Sequence, residues 1–425
     1  MVGPALPAAA AIMAAYARAR WLAGTLTTRA RIDAWQQRRL RDFLNRRITA
    51  VEAYKDRAGQ PLDAYPQVDK ATMMARFEAY NTLRLDAPTA RSAWQAGEAP
   101  AGFAVGASTG TSGNRGYYVI SDAERHAWLG VILARGLPGF WRQRLRLAVL
   151  LPANSRLYDA ANESGRLALR FFDLNDGVET QAAAVEAWLP DVLIAPPKVL
   201  RLLAGRDSKL APSHVFSGAE VLDPLDRAMI EARFAVTVRE IYMATEGLFA
   251  VACPLGRLHL LEDHLLFEWE AVPGDAMLKS PVITDFTRRQ QIMLRYRMND
   301  LLELDGSPCP CGSAFTTVRS VAGRLDDVFQ LAGSGSGHVA ITPDVIRNAV
   351  VDASPHIHDF RVTQTAPDRV ELRLPRDCAG ILDLARDSLA ARFRHLGARV
   401  ELAARLDDLP PPGPGKLRRV CRTCR

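Results

Sequence analysis

From Ser121 to Tyr242 the sequence alternates strand-like apolar runs with helix signals, and this constrains the fold more than any other feature of the chain. Ser121 followed by Glu124 makes a capping box, which predicts a helix running to about Gly136. Leu145 to Leu151 is a continuous apolar run of the kind buried on both faces of a sheet. A helix over Val178 to Leu189 and strands over Asp191 to Ala195 and His214 to Phe216 follow. Asp223-Pro224 then starts a helix to Phe234, and Val236 to Tyr242 reads as the next strand. Such alternation predicts an α/β architecture around a parallel sheet, whose ligands sit in loops beyond the carboxyl ends of the strands.

That rule singles out two loops. Ser217-Gly218-Ala219-Glu220 and Tyr242-Met243-Ala244-Thr245-Glu246-Gly247 each leave a strand with a glycine and a carboxylate. A Glu beside a polyphosphate can hold Mg²⁺ and a Thr hydroxyl can bond phosphate, although a helix cap would use the same residues at either place. A third stretch, Ser108-Thr109-Gly110-Thr111-Ser112-Gly113-Asn114-Arg115-Gly116, is poor in side-chain bulk and rich in hydroxyls. Its glycines let backbone amides close on an anion, and its hydroxyls add donors. It lies between Phe103-Ala104-Val105 and Tyr117 to Ile120, which is hairpin context, and it lacks the Gly-Lys-Ser/Thr ending of a Walker loop. Asp300, after the alternation of Leu294 to Asn299, stands where an acidic side chain can accept two bonds from a ribose diol.

Before the loop, residues 25 to 100 read as a helical preface, with apolar residues at helical spacing from Ile32 to Tyr54. Met1 to Ala23 is apolar, but no basic residue precedes it and Arg18 and Arg20 interrupt it. Export and membrane insertion are therefore not expected. Glycine and charge replace the apolar runs around Gly323 and again at Gly333 to Gly337, which sets a domain boundary. Residues 1–323 form the expected large domain and 324–425 a small α+β domain, with strands at Phe360 to Thr363, Val370 to Leu374 and Arg399 to Leu402, and a helix over Ile381 to His395. A Pro-rich turn from Leu409 to Gly415 then presents Lys416. The net charge of +7 is spread along the chain, which favours an anionic small ligand over nucleic acid.

The six cysteines are sparse and uneven, unlike a secreted disulfide framework, which points to the cytoplasm. Cys253, His259, Cys309 and Cys311 fit a closed tetrahedral zinc site, with ordinary reduced cysteines as the alternative. Cys421 and Cys424 are assigned no role.

These stretches occur in the order of the motifs of the adenylate-forming (AMP-binding) superfamily, and most closely resemble its phenylacetate-CoA ligase and deazaflavin-coenzyme adenylyltransferase branch. Ser108 to Gly116 resembles the phosphate loop, including the branch's lack of a lysine at its end. Ser217 to Glu220 resembles the adenine-holding strand end. Tyr242 to Glu246 resembles the Tyr-Gly-x-Thr-Glu motif with Met243 in place of the glycine, and Tyr296 to Asp300 the motif whose Asp holds the ribose. Gly323-Arg324-Leu325-Asp326 resembles the hinge, which implies Arg324 near the ribose and Asp326 as pivot. Gly415 to Val420 resembles the C-terminal motif whose lysine, here Lys416, is catalytic. Tyr65-Pro66-Gln67-Val68-Asp69-Lys70 resembles part of the branch's helical preface. Some members of the branch also resemble this chain in carrying a structural zinc at the cysteine cluster.

The resemblance implies an AMP-forming acid–thiol ligase that adenylates a carboxylic acid, expected to be aryl, and passes the acyl group to CoA or to the phosphopantetheine of an acyl carrier protein. It implies Glu246 on Mg²⁺, Thr245 and the loop on the ATP phosphates, and Lys416 between the carboxylate and the α-phosphate. Two other readings stand beside it: an adenylyltransferase that passes AMP to a small acceptor, and a non-catalytic nucleotide-binding homologue. Retention of Glu246, Asp300 and Lys416 argues against the last.

Overall fold

The computed structural model describes residues 7–108, 115–152, 167–335, 337–410 and 416–424. The chain divides into two units. The first comprises Met1–Glu268, Val282–Met298 and Asp305–Arg319, and the second Trp269–Pro281, Asn299–Leu304 and Ser320–Arg425.

The first unit begins with helices α1 (Ala8–Thr25), α2 (Arg29–Asp42), α3 (Lys70–Ala75), α4 (Phe77–Tyr80) and α5 (Ala87–Ala96). The apolar spacing from Ile32 to Tyr54 predicts helix throughout, but the regular helix stops at Asp42 and continues as a π turn over Phe43–Arg47 and short 3₁₀ turns. These turns aim Phe43, Leu44, Ile48, Val51 and Tyr54 into one apolar cluster with Phe286, Ile292 and Leu294. Tertiary burial has overridden the helical repeat there.

Strands β1 (Phe103–Ala107) and β2 (Tyr117–Ser121) pair antiparallel, as the hairpin context predicts. Ser121 caps α6 (Asp122–Gly136) through the expected box, its hydroxyl accepting from Glu124 N while Glu124 accepts from Ser121 N. Then come β3 (Leu145–Leu151), β4 (Leu167–Asp173), α7 (Val178–Trp188), β5 (Val192–Ala195), α8 (Pro197–Ala204), β6 (His214–Gly218), α9 (Pro224–Phe234), β7 (Val238–Ala244), β8 (Gly247–Ala252) and β9 (Leu258–Leu260). Their order across the sheet is β4-β3-β5-β6-β7-β8-β9, parallel from β4 to β7 and antiparallel from β7 to β9. The strand β4 and the antiparallel turn-back after β7 carry no distinctive sequence signal.

Both faces of this sheet are covered. Leu147, Val149 and Phe216 join the cluster under α6 and α1, while Ala148, Leu150 and Val215 join the one under α7, α8 and α9. That is why β3 is apolar at nearly every position. Helix α1 lies close on α6 at Gly130, where a Cβ would stand 2.5 Å from Ile12 O and 2.6 Å from Ala15 Cβ. Strand β10 (Leu265–Val272) follows, and the end of β11 (Asp275–Asp285) pairs with β12 (Tyr296–Arg297) at Val282↔Arg297 and Ile283↔Tyr296.

In the second unit β13 (Asp300–Asp305) pairs with Leu278 and Lys279 of β11. Strand β14 (Thr317–Arg324) leads to the antiparallel pair β15 (Phe329–Ala332) and β16 (His338–Ile341), and then to α10 (Pro343–Val351). A four-stranded sheet follows, made of β17 (Arg361–Ala366), β18 (Arg369–Pro375), β19 (Glu401–Asp407) and β20 (Val420–Arg422) in the order β19-β18-β17-β20. Helix α11 (Leu382–His395) buries Ala385, Leu389 and Phe393 at helical spacing and ends two residues before Gly397, whose φ is +80°. The last cysteines have a fold context the sequence does not show. Cys421 lies in β20, parallel to β17, with its Sγ 3.7 Å from Thr363 Oγ1. Among the described residues no helix is long and apolar enough to cross a membrane.

Candidate active site

The turn between β7 and β8 has two residues, Thr245 and Glu246, so both side chains are presented at a strand end. Both oxygens of Glu246 accept hydrogen bonds: Oε2 from Thr245 Oγ1 at 2.8 Å and Oε1 from Tyr296 Oη at 3.1 Å. Two motifs fifty residues apart in the chain thus meet at one carboxylate. Gly247 opens β8 beside Asp285, whose Oδ2 would lie 3.2 Å from any Cβ there. Burial pushes the Asp285 carboxyl up, while its Oδ1 accepts from Thr287 N at 2.7 Å and Thr287 Oγ1 at 2.6 Å. Tyr242 packs on Phe249 with ring centroids 5.0 Å apart. The β7–β8 ladder has a register shift between Tyr242 and Met243, so the motif's non-glycine residue is accommodated by a bulge.

On the neighbouring strand, β6 ends in Ser217 and Gly218, followed by Ala219 in the left-handed region at φ +66°. Glu220 receives Lys198 Nζ at 3.0 Å in a pair that is almost fully buried. A buried ion pair of this kind fixes loop geometry more surely than it adds stability. Ser217 Oγ is buried and has no hydrogen-bond partner among the described residues.

Of the glycine-rich stretch, Thr109, Gly110, Thr111, Ser112 and Gly113 lie outside the described residues. Its base is well defined. Ser108 N donates to Gly116 O at 2.7 Å, and Gly116 N donates to Ser108 Oγ at 2.8 Å. Lys70 Nζ stands 3.5 Å from the same hydroxyl. This lysine opens α3, which Asp69 caps by accepting from Thr72 N at 2.8 Å. A cation therefore reaches the foot of the loop from the preface, a role the preface sequence alone does not reveal. Arg115 lies over the Trp94 ring at 4.7 Å from its centroid.

In the second unit Asp300 begins β13, Arg324 ends β14, and Lys416 follows the undescribed residues 411–415. Asn299, one residue before Asp300, bonds Asp326 through both its amide atoms. Asp327 forms an ion pair with Arg418, two residues after Lys416.

Cys253, His259, Cys309 and Cys311 come together in the first unit, with one ligand atom of each within 4.8 Å of all the others. Cys253 Sγ is 3.9 Å from Cys309 Sγ, and Cys311 Sγ is 3.4 Å from His259 Nε2. A tetrahedron with metal–sulfur bonds near 2.3 Å and metal–nitrogen bonds near 2.0 Å puts sulfurs about 3.8 Å apart and sulfur and nitrogen about 3.5 Å apart. The Phe315 carbonyl is 3.2 Å from His259 Nδ1, and a proton held there leaves Nε2 as the ligand atom. Burial pushes the His259 imidazole below its ordinary value and the Cys311 thiol up to about 12. The first favours the neutral ligand form, and the second means a metal must displace the thiol proton.

No family model matches the sequence. Phenylacetate-coenzyme A ligase of Thermus thermophilus is 24% identical over 280 residues, which span 57% of this chain and 62% of that protein. The chain thus matches less than two thirds of that relative's length. A solved structure of 2-hydroxyisobutyryl-CoA ligase in the postadenylation state matches 98% of this chain and 90% of its own, with a TM-score of 0.63 and 18% identity. A benzoate CoA ligase from Burkholderia xenovorans matches 71% of this chain and 65% of its own, with a TM-score of 0.50 and 14% identity. The structural likenesses establish a shared fold. In fold the chain is similar to acyl-CoA ligases that form acyl-adenylates, and in sequence to a phenylacetate-coenzyme A ligase.

Proposed function

We propose that the protein is an ATP-dependent, AMP-forming ligase that adenylates a carboxylic acid and transfers the acyl group to CoA. The observation that carries this reading is the Glu246 carboxylate, held on both oxygens by Thr245 and Tyr296 at a strand end. A hard, oriented carboxylate of this kind is the group that would hold Mg²⁺, which when bound neutralises the triphosphate. Its neighbours do the rest of the positioning. Thr245 and the Ser108 loop are assigned the phosphates, with Lys70 adding a positive charge at the loop's foot. Ser217 to Glu220 and Tyr242 are assigned the adenine, and Asp300 and Arg324 the ribose.

In the first step an oxygen of the acid attacks the α-phosphorus and the bond to pyrophosphate breaks. Lys416 is assigned the negative charge that builds on the carboxylate and α-phosphate oxygens. In the second step a thiolate attacks the acyl carbon and AMP leaves. Asp326 is assigned the pivot between a large domain, 1–323, and a small one, 324–425. The site works mainly by placing and neutralising charge. The cysteine cluster is assigned a closed, structural zinc, which would brace the β8–β9 segment without an open position for chemistry. The expectation of an aryl acid rests on the branch resemblance, and cytoplasmic ATP and CoA suit the reading.

ATP–pyrophosphate exchange against a panel of acids tests the first step, and product mass with CoA, acyl carrier protein or neither tests the second. Acid-dependent exchange with a CoA thioester as product is expected. Exchange without any thioester would replace the ligase with an adenylyltransferase, and Lys416→Ala should abolish exchange while sparing thioester formation from supplied acyl-adenylate.

A further inference from the structure

A cavity of about 70 Å³ lies in the first unit between α6 and the carboxyl ends of β3, β5, β6 and β7. It ends at Gly218, Ala219 and Met243, the residues of the two strand-end loops that carry Glu220 and Glu246. Among the described residues, every side chain in its wall is apolar. Leu129 and Leu133 come from α6, Leu151 and Ile194 from β3 and β5, and Phe216 is the single ring.

Resting on the ligase reading above, we infer that this cavity takes the acyl tail of the substrate, and that the substrate is a short, unsubstituted aliphatic acid whose width is limited by Met243 at the end nearest the two loops. Size decides against an aryl acid. Benzene occupies a cavity on the order of 150 Å³, so the space here suits a tail of about three carbons. Chemistry decides against a hydroxy acid, because a buried hydroxyl would meet no polar side chain among the described wall residues and would lose its water.

The wall is also held in place. Arg239 is buried, stacks at 4.2 Å from the Phe216 ring centroid, and donates to Gly136 O at 2.6 Å, so the ring cannot swing out without uncovering a cation. The close approach of α1 at Gly130 keeps α6 from retreating. Met243 sits just past the register shift in β7 and lines the cavity.

The experiment is ATP–pyrophosphate exchange by the full chain with propionate, butyrate, valerate, octanoate, benzoate, phenylacetate and 2-hydroxyisobutyrate. Butyrate or valerate should give the highest kcat/KM, with the aryl and hydroxy acids lower by about tenfold or more. Met243→Gly should raise phenylacetate relative to butyrate by about tenfold or more, and the milder Met243→Ala should move the ratio in the same direction. An aryl or hydroxy acid leading in the unmodified protein overturns this inference alone, as does a ranking that neither variant changes. Absence of exchange with every acid overturns the ligase reading and this inference with it.

Discussion

Asn299 grips Asp326 from two directions: its Nδ2 donates to Asp326 Oδ2 at 2.7 Å, and its Oδ1 accepts from Asp326 N at 3.3 Å. The Asn299 carbonyl also accepts from Leu325 N at 2.9 Å. These bonds tie the residue before Asp300 to the two residues that follow Arg324. Asn299→Ala removes both side-chain bonds and is expected to lower kcat/KM for thioester formation about tenfold. Asn299→Asp should lower it further, because it sets a second carboxylate against Asp326. Steady-state assays in which both variants match the parent protein would show that the grip is incidental.

Lys70 supplies the loop's cation from outside the loop. Removing it leaves the Ser108–Gly116 bonds in place but takes a charge from beside Ser108, the foot of the loop proposed to hold phosphate. Lys70→Ala is expected to raise the KM for ATP about tenfold and to leave the ranking of acids unchanged. Lys70→Arg should recover part of the loss. Equal KM values for ATP in the parent and the alanine variant would remove Lys70 from the site.

Purified protein is expected to hold about one zinc per chain on Cys253, His259, Cys309 and Cys311. Cys309→Ser, which replaces a buried cysteine of the cluster, should abolish that zinc and lower resistance to denaturant, with the difference from the parent shrinking as pH falls and protons displace the parent's zinc. Elemental analysis finding no zinc in the parent protein would leave the cluster as reduced thiols and an imidazole.

Arg135 and Asp263 form a buried pair at 2.6 Å. Burial works to raise the Asp263 carboxyl, yet the charges of Arg135 and His264 hold it well below the usual carboxylate range. The sign follows from the lowered value. The pair's contribution is present above the unfolded carboxylate pKa of about 3.9 and is lost as pH falls through the folded value. Arg135→Met is expected to cost about 3–5 kcal/mol near neutral pH by leaving the buried carboxylate without its guanidinium, with only His264 beside it. Denaturant titrations should show a smaller cost near pH 4, where the stranded carboxyl takes up a proton. A cost independent of pH would mean that Arg135 acts by packing on Phe315, whose ring centroid lies 4.8 Å away.

Local chemistry made much of this molecule legible in advance. The Ser121–Glu124 box and the Asp223-Pro224 start fix helix ends through bonds made within a few residues, so both helices begin where the sequence places them. The apolar runs of β3 and β5 follow from burial on both faces. The grouping of Cys253, His259, Cys309 and Cys311 was readable from their residue types, although only the fold brings one atom of each within 4.8 Å of the others.

The sequence by itself therefore determined the strand–helix alternation, the order of the motifs and the residue types available for chemistry. The tertiary structure alone decided which distant residues meet. It set Tyr296 on Glu246, Lys70 on Ser108, Lys198 on Glu220 and Asn299 on Asp326, and it lined the cavity with Met243 and two leucines from α6. The physical reason is range. Caps, turns and strand periodicity are settled by neighbours within a few residues, whereas these pairings depend on how helices and strands pack over separations that no local pattern encodes.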